Sequence, residues 1–310
     1  MHAEFVTVMY HYVREIQNSS YPGIKGLEFE GFQRQLDYLS SRYEIISADQ
    51  LIACLTGDAA DFPDNACLLT FDDGYRDHFD YVLPELVKRN LSACFFPPAK
   101  PIEDHTLLDV NAIHYILAVA NDVEQLSRDL LDELRARDFS EAYLTECRDR
   151  LSEPSRYDPA EVIFFKRMLQ RELPFELRSE ITTSLFEKYV GKTEAEFSKE
   201  LYMTTDDLKE LIREGMYVGS HTYHHFWLNA VDAGTQEQEI DRSLQFLSRI
   251  GAPTHNWIMC YPYGAYNQET LEILRRKDCL LGFTTHVGNS ILDPQRALEL
   301  SRFDTNDFPQ

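Results

Sequence analysis

The chain has 310 residues, of which 44% are hydrophobic and 12% aromatic, and its formal net charge at pH 7 is −22. This length and composition are typical of a folded globular protein with a sizeable core. The negative charge argues against nucleic acid or an anionic membrane surface as a partner, because both favour clustered Lys and Arg. No apolar run approaches the roughly 18 residues of a membrane-spanning helix, so we expect no integral membrane segment.

The N-terminus and the cysteines both favour a cytoplasmic location. The first five residues include no basic segment, and the apolar run that follows is too short for a signal peptide. The six cysteines are scattered without a CxxC pair, and several lie in strand-like apolar runs where cysteine acts as a small hydrophobe. We therefore expect a reduced, cytoplasmic protein. The oligomeric state is not indicated.

The first hundred residues alternate short apolar runs with helical patterns, which indicates βα units. A capping box over residues 47–50 predicts the start of one of the helices. The predicted strands cover residues 5–10, the segment that follows Ala66 and carries Asp72 and Asp73, and residues 92–96. The predicted helices cover residues 29–39, 48–55 and 77–88.

The alternation of strand and helix patterns then stops, and the residues from about 103 to 202 are predicted to be helical and are highly charged. We expect a helical insertion over residues 104–203, a lid or an interface element, within a single catalytic domain that spans residues 1–310. A disordered linker is disfavoured because residues 162–165 supply apolar anchors. The α/β pattern resumes at Thr204. Helices are predicted over 204–215, 238–250 and 269–277, and strands over 216–220, 257–261 and 281–285.

The segment Thr70–Tyr75, with sequence TFDDGY, carries the strongest chemical signal. Asp72 and Asp73 follow a buried strand, where ionised carboxylates lose hydration unless a metal or another cation compensates. Gly74 allows the backbone to turn tightly and to approach a ligand. The alternative is a solvated acidic turn.

Three histidines lie within the five residues 221–225. His221 and His225 are four residues apart, so on a helical turn they would face the same side and could chelate one ion. Two imidazoles and a carboxylate are a common ligand set for a divalent metal, and we therefore predict a metal site. His224 is expected to support the ligands or the fold.

A third motif is Tyr261-Pro262-Tyr263-Gly264, at the end of a predicted strand. Pro262 fixes φ and Gly264 permits an unusual turn. Such a turn can direct the backbone N–H of Tyr263 into a cleft as an oxyanion donor, although an ordinary strand-ending turn explains the motif equally well.

These three motifs, in this order, resemble the polysaccharide deacetylase superfamily (NodB-type, carbohydrate esterase family 4). The segments 9–13 and 300–304 resemble the branch with circularly permuted motif order, which includes biofilm poly-N-acetylglucosamine deacetylases. The resemblance covers roughly residues 5–100 and 204–307 and leaves out the helical insertion. It implies an α/β fold, a distorted and seven-stranded (β/α) barrel, with the site at the C-terminal ends of the strands.

The resemblance also implies roles for individual residues. Asp73, His221 and His225 become the metal ligands, and Asp72 becomes the general base that deprotonates the metal-bound water. The backbone N–H of Tyr263 would stabilise the oxyanion. One divalent ion is implied, and zinc is the expected one, although this ligand set also accepts cobalt, nickel or manganese.

Two departures from the family pattern bear on catalysis. The late Leu-x-His motif that supplies the general acid is absent after Tyr263, so His11, at the end of the first strand, is the expected acid, with His286 as the alternative. Cys260 stands where the third motif often has an arginine. Arg302 could instead hold Asp72 in its ionised form, the alternative being an ordinary surface arginine.

The resulting hypothesis is a metal-dependent hydrolase that cleaves the amide bond of an N-acetylated amino sugar and releases acetate. Its partner would be an N-acetylated sugar or glycan, either an intracellular nucleotide- or lipid-linked precursor or a polymer. Two alternatives stay open: an allantoinase-like hydrolase of a small cyclic amide, and a carbohydrate-binding protein that has lost catalysis.

Overall fold

The computed structural model describes residues 3–58, 62–154 and 158–310. The chain divides into two compact units. The first combines Met1–Glu15, Gly26–His105 and Lys199–Gln310, and the second combines Ile16–Lys25 with Thr106–Ser198. Among the described residues, no helix has both the length and the hydrophobicity that crossing a bilayer requires.

The strands all belong to the first unit. In chain order they are β1 (Ala3–Tyr10), β2 (Val13–Arg14), β3 (Leu27–Glu28), β4 (Glu44–Ile45), β5 (Ala66–Asp72), β6 (Cys94–Phe96), β7 (Tyr217–Val218), β8 (Trp257–Cys260), β9 (Cys279–Phe283), β10 (Ser290–Leu292) and β11 (Phe303–Asp304).

The helices occur in both units. In chain order they are α1 (Phe29–Ser40), α2 (Ala48–Thr56), α3 (Leu83–Arg89), α4 (Ala99–Asp104), α5 (Asp109–Val119), α6 (Val123–Arg135), α7 (Glu141–Leu151), α8 (Ala160–Arg167), α9 (Phe175–Val190), α10 (Glu194–Leu201), α11 (Thr205–Arg213), α12 (Ala233–Ile250) and α13 (Gln268–Arg276).

Parallel pairing closes the first unit into a barrel. β1, β5, β6 and β7 pair side by side, and the bridge between Ser220 and Met259 continues the barrel to β8 and β9. A second bridge, between Phe283 and Leu300, leads to β11, which pairs with β1. Within the described residues this makes seven parallel segments, namely β1, β5, β6, β7, β8, β9 and β11. The expected α/β fold, a seven-stranded (β/α) barrel, is confirmed.

Buried side chains from the barrel strands form one apolar cluster, which includes Leu68 of β5, Phe96 of β6, Ile258 of β8 and Phe283 of β9. All seven residues of β5 are buried. Because side chains alternate across a strand, Asp72 at the end of β5 shares the face of Leu68. The strand therefore directs this carboxylate toward the barrel cluster.

Local signals in the sequence fix several helix ends. Ser47 and Gln50 form the predicted capping box at the start of α2, and Thr204 and Asp207 form another at the start of α11. α12 ends at Gly251, as expected. The segment before α3, His78–Val82, is a π-helical turn instead of a regular helix.

The predicted strands are correct in place, but their ends differ from the observed ones. The strands expected over 92–96 and 216–220 are longer than β6 and β7, the strand expected over 5–10 is shorter than β1, and the strand expected over 281–285 begins two residues after the start of β9. The strand expected over 216–220 is reduced to β7, and the residues after it are not regular. β10 and β11 were not predicted, because two or three residues are too few to show an apolar period.

The second unit contains helices α5–α9 and the start of α10. Tyr21 packs edge-on against both Tyr115 and Phe197, with ring centroids 5.0 and 5.6 Å away. The buried Asp158 pairs with Lys25 and Lys166 at 2.6 and 2.7 Å. These contacts explain why Ile16–Lys25 belongs with the helices, an association that the sequence patterns did not indicate.

Candidate metal centre

Asp73, His221 and His225 converge in the first unit. Asp73 Oδ1 lies 3.5 Å from His221 Nε2 and 3.4 Å from His225 Nε2, and the two Nε2 atoms are 3.2 Å apart. All three residues are buried. The structure therefore brings together the three predicted ligands, with one oxygen and two nitrogens facing a common point.

The backbone after β5 turns sharply to produce this arrangement. Asp73 has a φ of 71° and Gly74 a φ of 69°, so two successive residues are left-handed. A Cβ at Gly74 would lie 2.8 Å from the Cβ of Pro97, which leaves room only for glycine. The turn leaves Asp73 Oδ1 within 3.5 Å of Nε2 of both histidines.

The histidines converge through a loop, and not through the helical turn on which their four-residue spacing would place them on one side. Thr222 and His225 have φ values of 61° and 63°, which a helix does not allow. The Thr222 hydroxyl accepts a hydrogen bond from the His225 N–H at 3.0 Å, and the Ser220 hydroxyl accepts one from the Thr222 N–H at 3.2 Å. These bonds curl the loop so that both imidazoles face Asp73.

Two of the three candidate ligands, His221 and Asp73, have a partner that orients them. His221 donates its Nδ1 hydrogen to the backbone carbonyl of Cys260 at 2.7 Å, which leaves Nε2 with its lone pair toward the common point. The Tyr75 hydroxyl donates to Asp73 Oδ2 at 2.5 Å, which leaves Oδ1 toward the histidines. This arrangement fits a divalent metal with one carboxylate and two imidazole ligands.

The buried surroundings shift the pKa values of all three side chains. Burial acts to raise the pKa of Asp73, but the contacts with His221 and His225 hold it well below its usual range. Burial and the neighbouring His221 lower the pKa of His225. Burial acts to lower the pKa of His221 as well, but its contacts with Cys260, Asp73 and Asp72 raise it well above its usual range. The site thus combines an ionised carboxylate with one neutral imidazole and one that favours its protonated form.

A second group of possible ligand atoms, from Asp72, His221 and Cys260, is a poorer site. Burial raises the pKa of the Cys260 thiol, so it is protonated at neutral pH. The Asp72 carboxylate is already held by another cation, Arg302. Asp73 with the two histidines is therefore the candidate metal centre.

Arg302 is buried and faces Asp72. Its Nη1 donates to Asp72 Oδ1 at 2.9 Å, and its Nη2 lies 2.8 Å from Oδ2. Its Nε donates to the Thr284 carbonyl at 2.8 Å, and the Cys260 thiol lies 3.4 Å from Oδ1. Burial acts to raise the pKa of Asp72, but the charges of Arg302, His221 and His11 lower it to about 2. Asp72 is therefore ionised at neutral pH.

His11 and His286 differ in their position. His11 Nε2 lies 3.9 Å from Asp72 Oδ2, and its side chain is 41% exposed. His78, which burial holds neutral with a pKa of about 4, donates its Nε2 hydrogen to the His11 carbonyl at 2.8 Å. The side chain of His286 is exposed, and its ring lies 6.4 Å from that of Tyr266. The structure thus brings His11 to Asp72.

Tyr263 lies beside the histidines. It has a left-handed backbone, with φ 59° and ψ 9°, in a 3-10 turn over Pro262–Gly264. Its ring packs edge-on against His225 at 4.7 Å and stacks on Trp227 at 4.2 Å. A Cβ at Gly264 would lie 2.2 Å from Thr285 Oγ1, so glycine is required there. The turn therefore lies next to the metal ligands.

Three further residues of the site had no role predicted from the sequence. Tyr75 contacts Asp73, Trp227 stacks on Tyr263, and Glu239 binds His224. Tyr75 has a local signal, since it follows Asp73 by two residues. The other two have none, because their contacts depend on the packing of the loop.

Comparison with known proteins agrees with this geometry. The polysaccharide deacetylase family matches residues 178–280, a range that includes His221, His225 and Tyr263. A Bacillus subtilis (strain 168) protein named "Putative polysaccharide deacetylase YxkH" is 29% identical over 92 residues, which are 30% of this chain and 33% of that protein. The match thus spans about a third of the length of this relative.

Solved structures of deacetylases share the fold over nearly the whole chain. The Streptococcus pyogenes deacetylase PplD in complex with acetate has a TM-score of 0.59 and 17% identity, covering 98% of this chain and 93% of PplD. IcaB from Ammonifex degensii has a TM-score of 0.56 and 19% identity, covering 97% and 91%. A de-N-acetylase from Aggregatibacter actinomycetemcomitans has a TM-score of 0.53 and 17% identity, covering 97% and 95%. The family match over residues 178–280 and the barrel shared with solved deacetylases make this chain similar to polysaccharide deacetylases in sequence and in fold.

Proposed function

We propose that this protein is a metal-dependent hydrolase that removes the N-acetyl group from an amino sugar and releases acetate. The observation that carries the proposal is that two adjacent carboxylates, Asp72 and Asp73, have different partners. Asp73 faces two imidazoles, as a metal ligand would, whereas Asp72 is held ionised by Arg302, as a general base would be. The names of PplD and of the de-N-acetylase support acetyl removal as the reaction.

Asp73, His221 and His225 would hold the ion, which we expect to be zinc. When bound, the ion supplies Lewis acidity, which polarises an amide carbonyl and makes a nearby water more acidic. The protein contributes the orientation of the ligands through Tyr75 and the Cys260 carbonyl.

The proton transfers can be assigned to residues of this chain. Asp72 accepts a proton from the attacking water, whose oxygen adds to the amide carbon. The backbone N–H of Tyr263 stabilises the negative oxygen that develops. His11 then donates a proton to the sugar nitrogen as the carbon–nitrogen bond breaks. The products are acetate and the free amine, so the atoms of one water are accounted for.

We further propose an N-acetylated sugar linked to a nucleotide or lipid carrier as the substrate, in accord with the cytoplasmic location that we expect. A polymer of N-acetylated sugar is the alternative acceptor. The carrier-linked sugar and the polymer undergo the same reaction at the acetyl group. They differ in the length of the sugar chain and in the carrier, so substrates that vary in these two properties distinguish them.

The test measures acetate release by the purified protein, loaded with zinc, from nucleotide-linked, lipid-linked and oligomeric N-acetyl sugars. Asp72→Asn should reduce turnover by about 10²–10⁴-fold while the metal content is unchanged. The matched control is His255→Asn, because this histidine side chain is 86% exposed. Acetate release from none of the substrates would refute the proposal, and a small cyclic amide tested in parallel would reveal the allantoinase-like alternative.

A further inference from the structure

One face of α12 contacts the loop that carries both histidine ligands. Glu239, Arg242 and Ser243 lie three and four residues apart, so they share this face of the helix. Each contacts a different residue of the segment 220–224. No side chain of α12 contributes a metal ligand among the described groups of possible ligand atoms.

Glu239 makes the most specific of these contacts. One carboxylate oxygen accepts a hydrogen bond from the backbone N–H of His224 at 2.7 Å, and the other pairs with Nδ1 of the same residue. Glu239 is only 2% exposed, so its charge has lost most of its hydration. A buried carboxylate of this kind is stabilised chiefly by its partners, and here both partners belong to His224.

The other two contacts hold the residues on either side of the ligand His221. The Ser243 hydroxyl lies 2.7 Å from the Ser220 hydroxyl, and the Arg242 guanidinium lies over the ring of Tyr223 at 3.4 Å. The His224 ring also stacks on Phe226 at 4.8 Å with an interplanar angle of 6°. Contacts therefore hold the loop at Ser220 before the first ligand, at Tyr223 and His224 between the two ligands, and at Phe226 after the second.

The loop needs such contacts because its backbone is in an uncommon conformation. Thr222 and His225 both have positive φ, a region that residues with a Cβ rarely occupy, and for a β-branched threonine it is exceptional. Backbones of this kind persist only where their surroundings impose them. His225 is itself a ligand, so relaxation of the loop would move its imidazole away from Asp73.

We propose that Glu239 is a positioning residue for the metal centre, acting through His224 to hold the loop in the conformation that directs His221 and His225 at one ion. The inference rests on the metal site of the proposed function. It assigns to His224 the role of a structural link, and to α12 that of the support on which the ligand loop is built.

The test compares Glu239→Gln with Glu237→Gln, a control on the same helix whose side chain is 43% exposed and pairs with Lys277. The affinity for Co²⁺ and Zn²⁺ is measured by competition with a chelator, and the Co²⁺ absorption spectrum reports the ligand geometry. We expect Glu239→Gln to weaken metal binding by about 10–100-fold and to change the spectrum, and Glu237→Gln to do neither.

Two further measurements make the outcome decisive. His224→Ala combined with Glu239→Gln should weaken metal binding no more than either single change, because both remove the same link. Ser243→Ala, a milder change in the same face, should weaken binding in the same direction if Glu239→Gln does not fold. Wild-type affinity in a folded Glu239→Gln or, failing that, in Ser243→Ala overturns the inference, whereas a wild-type protein that binds no metal overturns the proposed function instead.

Discussion

Arg302 donates a hydrogen bond to Asp72 Oδ1 at 2.9 Å, across 230 positions of the chain. Both side chains are almost completely buried. The guanidinium therefore offsets most of the free-energy cost of keeping this carboxylate ionised in the barrel. Arg302 lies in the C-terminal segment, whereas the arginine of the family pattern often lies at the start of the third motif. Cys260, which occupies that usual position, contributes a thiol contact to the same oxygen.

Arg302→Met should raise the pKa of Asp72, because burial then acts without its opposing charge. A base with a raised pKa is protonated at higher pH, so the acid limb of the kcat/KM profile should move toward neutral pH. The variant should also lose about 3–5 kcal/mol of unfolding free energy, since a buried charge is left without its partner. The measurements are a pH–rate profile and denaturant unfolding. Arg213→Met, at a side chain that is 68% exposed, is the control, and an unshifted acid limb in a folded Arg302→Met would contradict the prediction.

The general acid can be identified by replacing each candidate histidine in turn. His11→Asn should lower kcat by about 10²-fold or more, because its imidazole lies near Asp72 and is expected to protonate the leaving amine. His286→Asn should leave kcat nearly unchanged. The measurement is steady-state acetate release with substrates whose leaving amines differ in basicity. A large loss with His286→Asn and none with His11→Asn would reverse the assignment.

Tyr75→Phe should weaken metal binding by about 10–100-fold while the fold is retained. The hydroxyl donates to Asp73 Oδ2, and without it the carboxylate is free to rotate away from the histidines. Chelator competition measures the affinity. Tyr38→Phe is the control, because the contacts of Tyr38 with Arg42 and Phe308 involve its ring. Equal affinities in the two variants would show that the hydroxyl does not orient the ligand.

Asp158 should make the stability of the second unit dependent on pH. Burial acts to raise its pKa, but Lys166 and Lys25 hold the pKa below the value of 3.8 expected for an unfolded chain. The resulting stabilisation is present above about pH 4 and is lost as the pH falls through the folded pKa. Asp158→Asn should therefore lower the unfolding free energy by about 1–2 kcal/mol at pH 7.

The difference between wild type and Asp158→Asn should shrink as the pH falls below about 4, because the wild-type carboxyl becomes protonated. Denaturant unfolding at several pH values, followed by circular dichroism, measures it. The exposed Asp64→Asn is the control for a general loss of charge. A difference that grows toward low pH would have the opposite sign and would exclude the assigned ion pairs as its cause.

The sequence predicted those features that depend on local chemistry. The capping residues Ser47 and Thr204 act where expected, and the strand that ends at Asp72 is buried along its full length. Asp73, His221 and His225 converge because parallel strands bring their C-terminal ends to one edge of a barrel. Each cap, the buried strand and each segment that carries a candidate ligand is recognisable from residues that are close to one another in the sequence.

The features that were missed depend on packing between distant segments. The four-residue spacing of His221 and His225 would place them on one side of a helical turn, but they lie in a loop. The positive φ at Thr222 that shapes this loop has no signature in the sequence. Likewise, nothing local indicates that Tyr21 packs on Phe197, since both are ordinary aromatic residues in their own surroundings. Only the tertiary contacts decide these positions.

The closure of the barrel bears on how the protein folds. β11 pairs with β1 through Val8 with Phe303 and Met9 with Asp304, so the last contact of the ring joins residues separated by almost the whole polypeptide. Contacts between residues so far apart in the sequence form slowly, because the chain must lose the conformational entropy of a very long loop before the contacts stabilise it. Helices can form on a much faster timescale. Arg302 lies in this closing segment, and recovery of enzymatic activity during refolding should therefore follow the slowest kinetic phase, well after the helical signal has returned.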